Sequence, residues 1–184
     1  MKNTLVVLVG IVLVFALWVG GQYNSFVTQS NGVDGQWKQV EVQYQRRYDL
    51  IPNLLESAKG VQKQEQAVFG AIAEARTRYA GAASSDQKAA AAGQLESALG
   101  RLLVIMENYP ELKSNETVSK LMDELAGTEN RISVERRRYN ELVQAYNVKA
   151  TTIPGNIVAS LFGFKIKLYF EATAGSENAP KVQF

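Results

Sequence analysis

Two clusters of charged residues are the places in this sequence where side chains could do chemistry. The first comprises Arg46, Arg47 and Asp49, which lie shortly before Pro52. On a helix, a carboxylate one turn from a guanidinium can form an ion pair or accept hydrogen bonds from amides that a proline leaves free. We interpret this cluster either as a polar network that fixes a bend in a helix or as a contact for a partner or a lipid head group.

The second cluster extends from Glu129 to Arg138 and ends in three consecutive arginines. Neighbouring residues point to different faces of a helix, so these arginines cannot form one patch. We expect a solvated face with one interhelical salt bridge, and contact with anionic lipid or an acidic protein is the alternative. Glu135 differs because its spacing places it in an apolar stripe, where it needs a partner such as Arg46 or Arg47.

The residue types that many enzymes use for catalysis are missing. The chain contains no Cys and no His, so it has neither a thiolate nucleophile nor the usual general base near neutral pH. Carboxylates such as Glu65 and Glu135 would need histidines to build the di-metal centre of a ferritin-like bundle. We predict no catalytic, metal-binding or cofactor-binding residue and no enzymatic activity. The net charge of +2 gives no reason to expect nucleic-acid binding.

Residues 1–22 form a predicted membrane anchor. No charged residue stands between Lys2 and Asp34, and Thr4–Gly21 is almost wholly apolar. As a helix, this stretch is about 27 Å long, close to the roughly 30 Å thickness of the hydrocarbon layer. A cleaved signal peptide is the alternative, but no small-x-small pattern follows Val19. Lys2 favours an amino terminus inside and a bulk domain on the outer, periplasmic side.

The rest of the sequence predicts an all-α protein, an antiparallel bundle of long helices. Apolar residues recur at spacings of three and four from Trp37 to Tyr79, as on an amphipathic helix. The pair Ser84 and Gln87 has the spacing of a capping box, and Ser114 or Asn115 can cap a third long helix. The predicted organisation is an anchor (1–22), a connector (23–35), a bundle (36–150) and an apolar tail (151–184) that docks on the bundle or on a neighbouring subunit.

Pro52 leaves two arrangements for the first long helix. If residues 34–79 form one kinked helix, it is about 69 Å long, whereas the second helix is only about 35 Å long. Trp37, Val40 and Tyr44 would then be exposed unless the tail or another subunit covers them, which predicts a homo-oligomer. If the chain folds back at Pro52, a monomer can bury them.

The stretch VQYQRRYDLIPNLLE at residues 42–56 resembles the central signature of the LemA family. Further similarity lies at Tyr109–Asn115, Glu124–Ile132, Arg138–Val143 and Pro180–Phe184. The resemblance implies an N-terminal membrane helix, an antiparallel helical bundle and no established biochemical activity. Family members are often assigned an amino terminus outside the cytoplasm, opposite to the charge argument. Gly32 and Gly35 depart from the pattern and make a continuous helix from membrane to bundle unexpected.

The leading hypothesis is a single-pass protein of the bacterial cytoplasmic membrane that acts as a non-enzymatic scaffold, binding itself or other membrane proteins. One alternative is a membrane-shaping protein that binds lipid. Another is an adaptor whose C-terminal Val182-x-Phe184 is read by a PDZ-like domain. The residues predicted to make interactions are Trp37, Val40, Tyr44, Arg46, Arg47, Asp49, Pro52, Glu135 and Phe184.

Overall fold

A computed structural model of the chain describes residues 2–58, 65–110 and 114–170, except the side chains of residues 85, 86, 106 and 107. The described residues form helices and no strand, which confirms the all-α prediction. The helices are α1 (Lys2–Ser57), α2 (Gln66–Ala80), α3 (Ser85–Asn108), α4 (Glu116–Thr151) and α5 (Gly155–Phe162). The predicted features at Pro180–Phe184 lie outside the described residues.

Helix α1 is longer than the sequence predicts. It runs without a break through Gly32, Gly35 and Pro52, so the predicted connector is helical and the chain does not fold back at the proline. A glycine inside a helix costs about 1 kcal/mol relative to alanine. Burial of Phe26 and Val33 on the same helix offsets this cost.

The prediction of one helix from residue 34 to residue 79 is wrong, because α1 ends at Ser57 and α2 begins at Gln66. The ring of Tyr79 near the end of α2 stacks on Tyr48 of α1, with centroids 4.1 Å apart. Helix α2 therefore returns along α1. The sequence carries the signal for this reversal, since no apolar residue stands between Val61 and Ala67.

Both predicted helix starts are confirmed by their capping contacts. The amide of Gln87 donates to Ser84 Oγ at 3.2 Å, and the amide of Ser84 donates to Gln87 Oε1 at 3.4 Å, which is a capping box at the start of α3. At the start of α4, the amides of Thr117 and Val118 donate to Asn115 Oδ1 at 3.0 and 3.3 Å. Asn115 is therefore the N-cap of α4.

The described residues form two compact units. The terminal unit contains the residues up to Val40 and those from Val134 onwards, and the central unit is Glu41–Ser133. In the terminal unit, Phe26 packs edge-to-face on Tyr146, while Trp37 packs on Tyr139. These pairs show that α1 and α4 are antiparallel. The core of this unit comprises Phe26, Val33, Val143, Tyr146, Val158 and Ala159.

The central unit is a helical bundle in which α2 packs against α3. Lys88 of α3 bonds to Glu41 of α1 at 2.7 Å, which joins a third helix to the pair. The fully buried apolar residues of this unit come from all four helices and include Tyr44, Ile51, Leu54, Ile72, Leu95, Leu102, Val118 and Ile132.

Candidate functional site

The predicted charged cluster before Pro52 is separated onto different faces of α1. Arg47 is 1% exposed and forms an ion pair with Glu129 of α4, which is 36% exposed. Arg46 and Asp49 are exposed, and Asp49 accepts a hydrogen bond of 2.8 Å from Gln45. The cluster therefore divides into one buried cation that joins α1 to α4 and two residues on the surface.

Arg47 lies among aromatic side chains of the central unit. Tyr79 contacts both Tyr44, at a centroid distance of 5.9 Å, and Tyr48. Burial, with a smaller effect of the neighbouring Tyr79, raises the pKa of Tyr48 well above its usual value, and Arg47 partly opposes this rise. Burial, followed by the nearby Glu41, raises the pKa of Tyr79 to about 12. These phenols are thus neutral at physiological pH.

Glu135 is paired, but not with the arginines that the sequence suggests. In the terminal unit, Gln36 donates to Glu135 Oε2 at 2.6 Å, and Arg138 donates to Oε1 at 2.9 Å. The expectation of an Arg46 or Arg47 partner is wrong, since Arg47 pairs with Glu129. Glu129 lies six residues before Glu135, about 9 Å along α4. In a pair of antiparallel helices, an earlier residue of one helix lies opposite a later residue of the other, so Glu129 and Glu135 meet different residues of α1.

Trp37 is covered by its own chain. Its ring stacks on Phe170 at a centroid distance of 5.2 Å and meets Tyr139 edge-on at 5.8 Å. The guanidinium of Arg136 lies 5.5 Å from the centre of the Phe170 ring. Val40 and Tyr44 are also buried. Trp37 therefore needs no second subunit to cover it. Because all three side chains are buried within the chain, their exposure cannot serve as a reason to expect an oligomer.

Two asparagines on α4 hold the segment 163–170, which has no regular secondary structure. Asn140 donates to the Phe170 carbonyl at 2.9 Å and accepts from the Phe170 amide at 2.8 Å. Asn147 makes the same two bonds with the carbonyl and amide of Lys167, each at 2.8 Å. We call this pair the amide clamp. Sequence reasoning missed it, although two asparagines seven residues apart share one helix face.

Two lysines, Lys167 of the clamped segment and Lys149 of α4, also contact α1. Lys167 Nζ lies 2.6 Å from Asp34 Oδ1, and the Lys149 ammonium lies 4.6 Å from the centre of the Phe26 ring. Burial lowers the pKa of Lys149. Burial, with a smaller effect of Asp34, raises the pKa of Tyr146. The terminal unit is thus closed by aromatic, amide and cationic contacts around α1.

Comparison with known proteins decides the family. A profile of the LemA family matches residues 36–184, which is most of the chain. The chain belongs to the LemA family. The match includes the signature at residues 42–56, so the predicted membership is confirmed. Phe184 lies within the match but outside the described residues.

Other relatives agree with this LemA assignment. Magnetosome protein MamQ of Magnetospirillum gryphiswaldense is 29% identical over 181 residues, which cover 84% of this chain and 66% of that protein. MamQ 1 of Paramagnetospirillum magneticum is 29% identical over 176 residues, covering 82% of this chain and 65% of that protein. Protein LemA of Metamycoplasma hominis is 23% identical over 166 residues, covering 86% and 74%. The chain therefore spans just under two thirds of the MamQ proteins.

The family match and the apolar α1 together describe a membrane-associated helical protein. Among the described residues, α1 is the one helix that is long and apolar enough to cross a membrane. All of its large apolar side chains from Leu5 to Leu17 are exposed.

Proposed function

We propose that this LemA family protein is a non-enzymatic scaffold, held in the bacterial cytoplasmic membrane by one spanning helix and able to assemble with itself. The observation that carries the proposal is the continuity of α1, which contains both the exposed apolar run and the buried core residues Phe26 and Val33. No flexible linker separates the span from the first packed residues. The terminal unit is then fixed at the membrane surface, as a scaffold requires.

Two facts support a role in binding rather than in catalysis. The sequence contains neither His nor Cys, the residues most often used as general base and thiolate nucleophile. The names of the relatives, which are magnetosome proteins and a LemA protein, specify no reaction. Lys2 before the apolar run favours an orientation with the bulk domain on the periplasmic side.

The proposed contact between copies is an exposed apolar pair on α3 in the central unit. Leu103 and Val104 are 51% and 62% exposed. Two neighbouring side chains lie about 100° apart on a helix, which is the width of an apolar stripe that packs on another element. This pair replaces Trp37, Val40 and Tyr44 as the assembly surface to test, because those three side chains are buried.

Light scattering of the full chain in detergent tests self-assembly. We expect a defined oligomer for the unaltered protein and a monomer for the double variant Leu103→Ser, Val104→Ser. The matched control is Leu142→Ser, Val148→Ser, which removes an exposed leucine and an exposed valine from α4 and should keep the oligomer. A monomeric unaltered protein, with no disulfide-linked dimer from Leu103→Cys in native membranes, would disprove self-assembly.

A further inference from the structure

The short helix α5 has apolar side chains on two faces. Val158 and Ala159 are buried in the terminal unit. Ile157 and Leu161, four residues apart within the helix, are 62% and 72% exposed, and Ile153 in the preceding turn is 81% exposed. Residues four apart share a helix face. A helix that is apolar on more than one face is normally covered by protein or by lipid on each of them.

Helix α5 lies beside the apolar part of α1. The ring of Phe162 at its C-terminal end meets the ring of Tyr23 at a centroid distance of 5.0 Å. Tyr23 follows Trp18 by five residues, about 7.5 Å along a helix. Trp and Tyr are the residues enriched where a spanning helix meets the membrane surface. Contact with Tyr23 therefore holds α5 at the level where the proposed span leaves the hydrocarbon layer.

The charges around α5 fit the same surroundings. No charged residue stands between Lys149 and Lys165, and the exposed Lys165 follows directly after the apolar stretch. A lysine can extend its ammonium toward phosphate groups while its aliphatic stem follows apolar surface. At the membrane surface, Lys165 would lie close to the lipid phosphates.

We propose that α5 is an interfacial helix whose exposed residues Ile157 and Leu161, together with Ile153 of the preceding turn, insert into the bilayer surface next to the span. The inference rests on the proposed span of α1 and adds a second lipid contact, made by residues far along the chain. Helices of this kind insert about 5–10 Å into the boundary between head groups and acyl chains. Lipid is the occupant that continuity favours, because the exposed apolar surface of α1 reaches Trp18, little more than one turn before the Tyr23 contact.

Site-directed spin labelling tests this inference without removing any native thiol, because the chain contains no Cys. Nitroxide labels are attached to Val12→Cys, Ile157→Cys, Leu161→Cys and Leu142→Cys in the full chain, reconstituted into vesicles of zwitterionic and anionic phospholipid. All four side chains are exposed, so folding should survive and can be checked by circular dichroism. The measurement is the ratio of collision rates with oxygen, which dissolves in lipid, and with a water-soluble nickel chelate.

We expect the oxygen-to-nickel ratio at positions 157 and 161 to exceed the ratio at the exposed leucine position 142 severalfold. The ratio at position 12 should be higher still, since that label lies in the proposed span. A high ratio at 12 with a ratio at 161 equal to that at 142 would overturn the interfacial helix alone. Low collision rates with both reagents at 161 would mean that protein, such as a second copy, covers α5, and would also overturn it. Nickel access at 12 would overturn the span and the inference together.

Discussion

The terminal and central units use the same two long helices but cover them differently. In the central unit, α1 and α4 are joined by further helices, whose backbone groups bond within each helix. In the terminal unit, the covering elements are α5 and the non-helical segment 163–170, and the backbone groups of that segment bond to the side chains of Asn140 and Asn147. Both units have an apolar core, but in the terminal unit the attachment of segment 163–170 also depends on a few polar contacts, and their loss would release that segment.

The largest expected effect tests whether the connection between α4 and α5 closes the terminal unit. A β-carbon at Gly155 would collide with the backbone carbonyl oxygen of Lys149, which cannot move unless the end of α4 moves. We expect Gly155→Ala to destabilise the terminal unit by about 3 kcal/mol. Hydrogen exchange of the full chain in detergent should increase in residues 155–170 and stay unchanged in α3.

Gly93→Ala in α3 is the control for this prediction, because a β-carbon there would have no neighbour within 4 Å. It should leave exchange in both units unchanged or slower. If Gly155→Ala accelerated exchange equally in α3 and in residues 155–170, the two units would unfold together. The prediction that the terminal unit can be destabilised separately would then be wrong.

The next effect concerns the amide clamp. Asn147→Ala removes both hydrogen bonds to the Lys167 backbone, and we expect a loss of about 2 kcal/mol because each net bond contributes about 1 kcal/mol. Asn147→Asp keeps the oxygen that accepts from the Lys167 amide and should lose about half as much. Hydrogen exchange of residues 163–170 and the fluorescence of Trp37, which stacks on Phe170, report the release.

The exposed Gln144 on the same helix supplies the control for the clamp. Gln144→Ala should leave both signals unchanged. If Asn147→Ala behaves like Gln144→Ala, aromatic packing alone holds the segment, and the two units would be held by the same kind of contact.

Alkaline pH is expected to have a smaller effect, and mainly on the central unit. The pKa of Tyr79 is raised to about 12, so the folded state favours its neutral phenol. This contribution is present below about pH 10, the usual pKa, and is lost as the pH rises from there towards about 12. We expect Tyr79 to account for about 1 kcal/mol of this loss, since it is partly exposed.

Denaturant unfolding at several pH values measures this loss, and Tyr79→Phe should reduce it. The raised pKa of Tyr146 gives the terminal unit a contribution of the same sign, so Tyr146→Phe is the matched variant. A pH dependence that neither substitution changes would assign the alkaline loss to other groups.

The sequence predicts the central unit better than the terminal one, for a physical reason. A helix that packs on other helices is marked in the sequence by a repeat of apolar residues and by a cap, and the Ser84 cap lies where the sequence predicts it. A segment held by its backbone leaves no repeat, so nothing in the spacing joins Asn140 to Phe170.

The sequence also could not predict which residues pair with the buried charged side chains. Arg47 pairs with Glu129, and Glu135 pairs with Gln36. Which carboxylate meets which donor depends on how far one helix slides along another, and this is set by packing at both ends of the pair. Residue types predicted that such pairs exist, whereas the register that assigns them came from the structure.

The smallest effect is expected from substitutions that change helix propensity without changing any contact between elements. A β-carbon at Gly32 in the terminal unit, or at Gly100 in α3, would have no neighbour within 4 Å. Gly32→Ala and Gly100→Ala should therefore each stabilise by about 0.5–1 kcal/mol through helix propensity, measured as the change in unfolding midpoint in denaturant. Equal gains would mean that helix propensity contributes equally in the two units, so that the difference between them lies in how their helices are covered. A loss at Gly32 alone would instead indicate that another chain approaches α1 closely at that glycine.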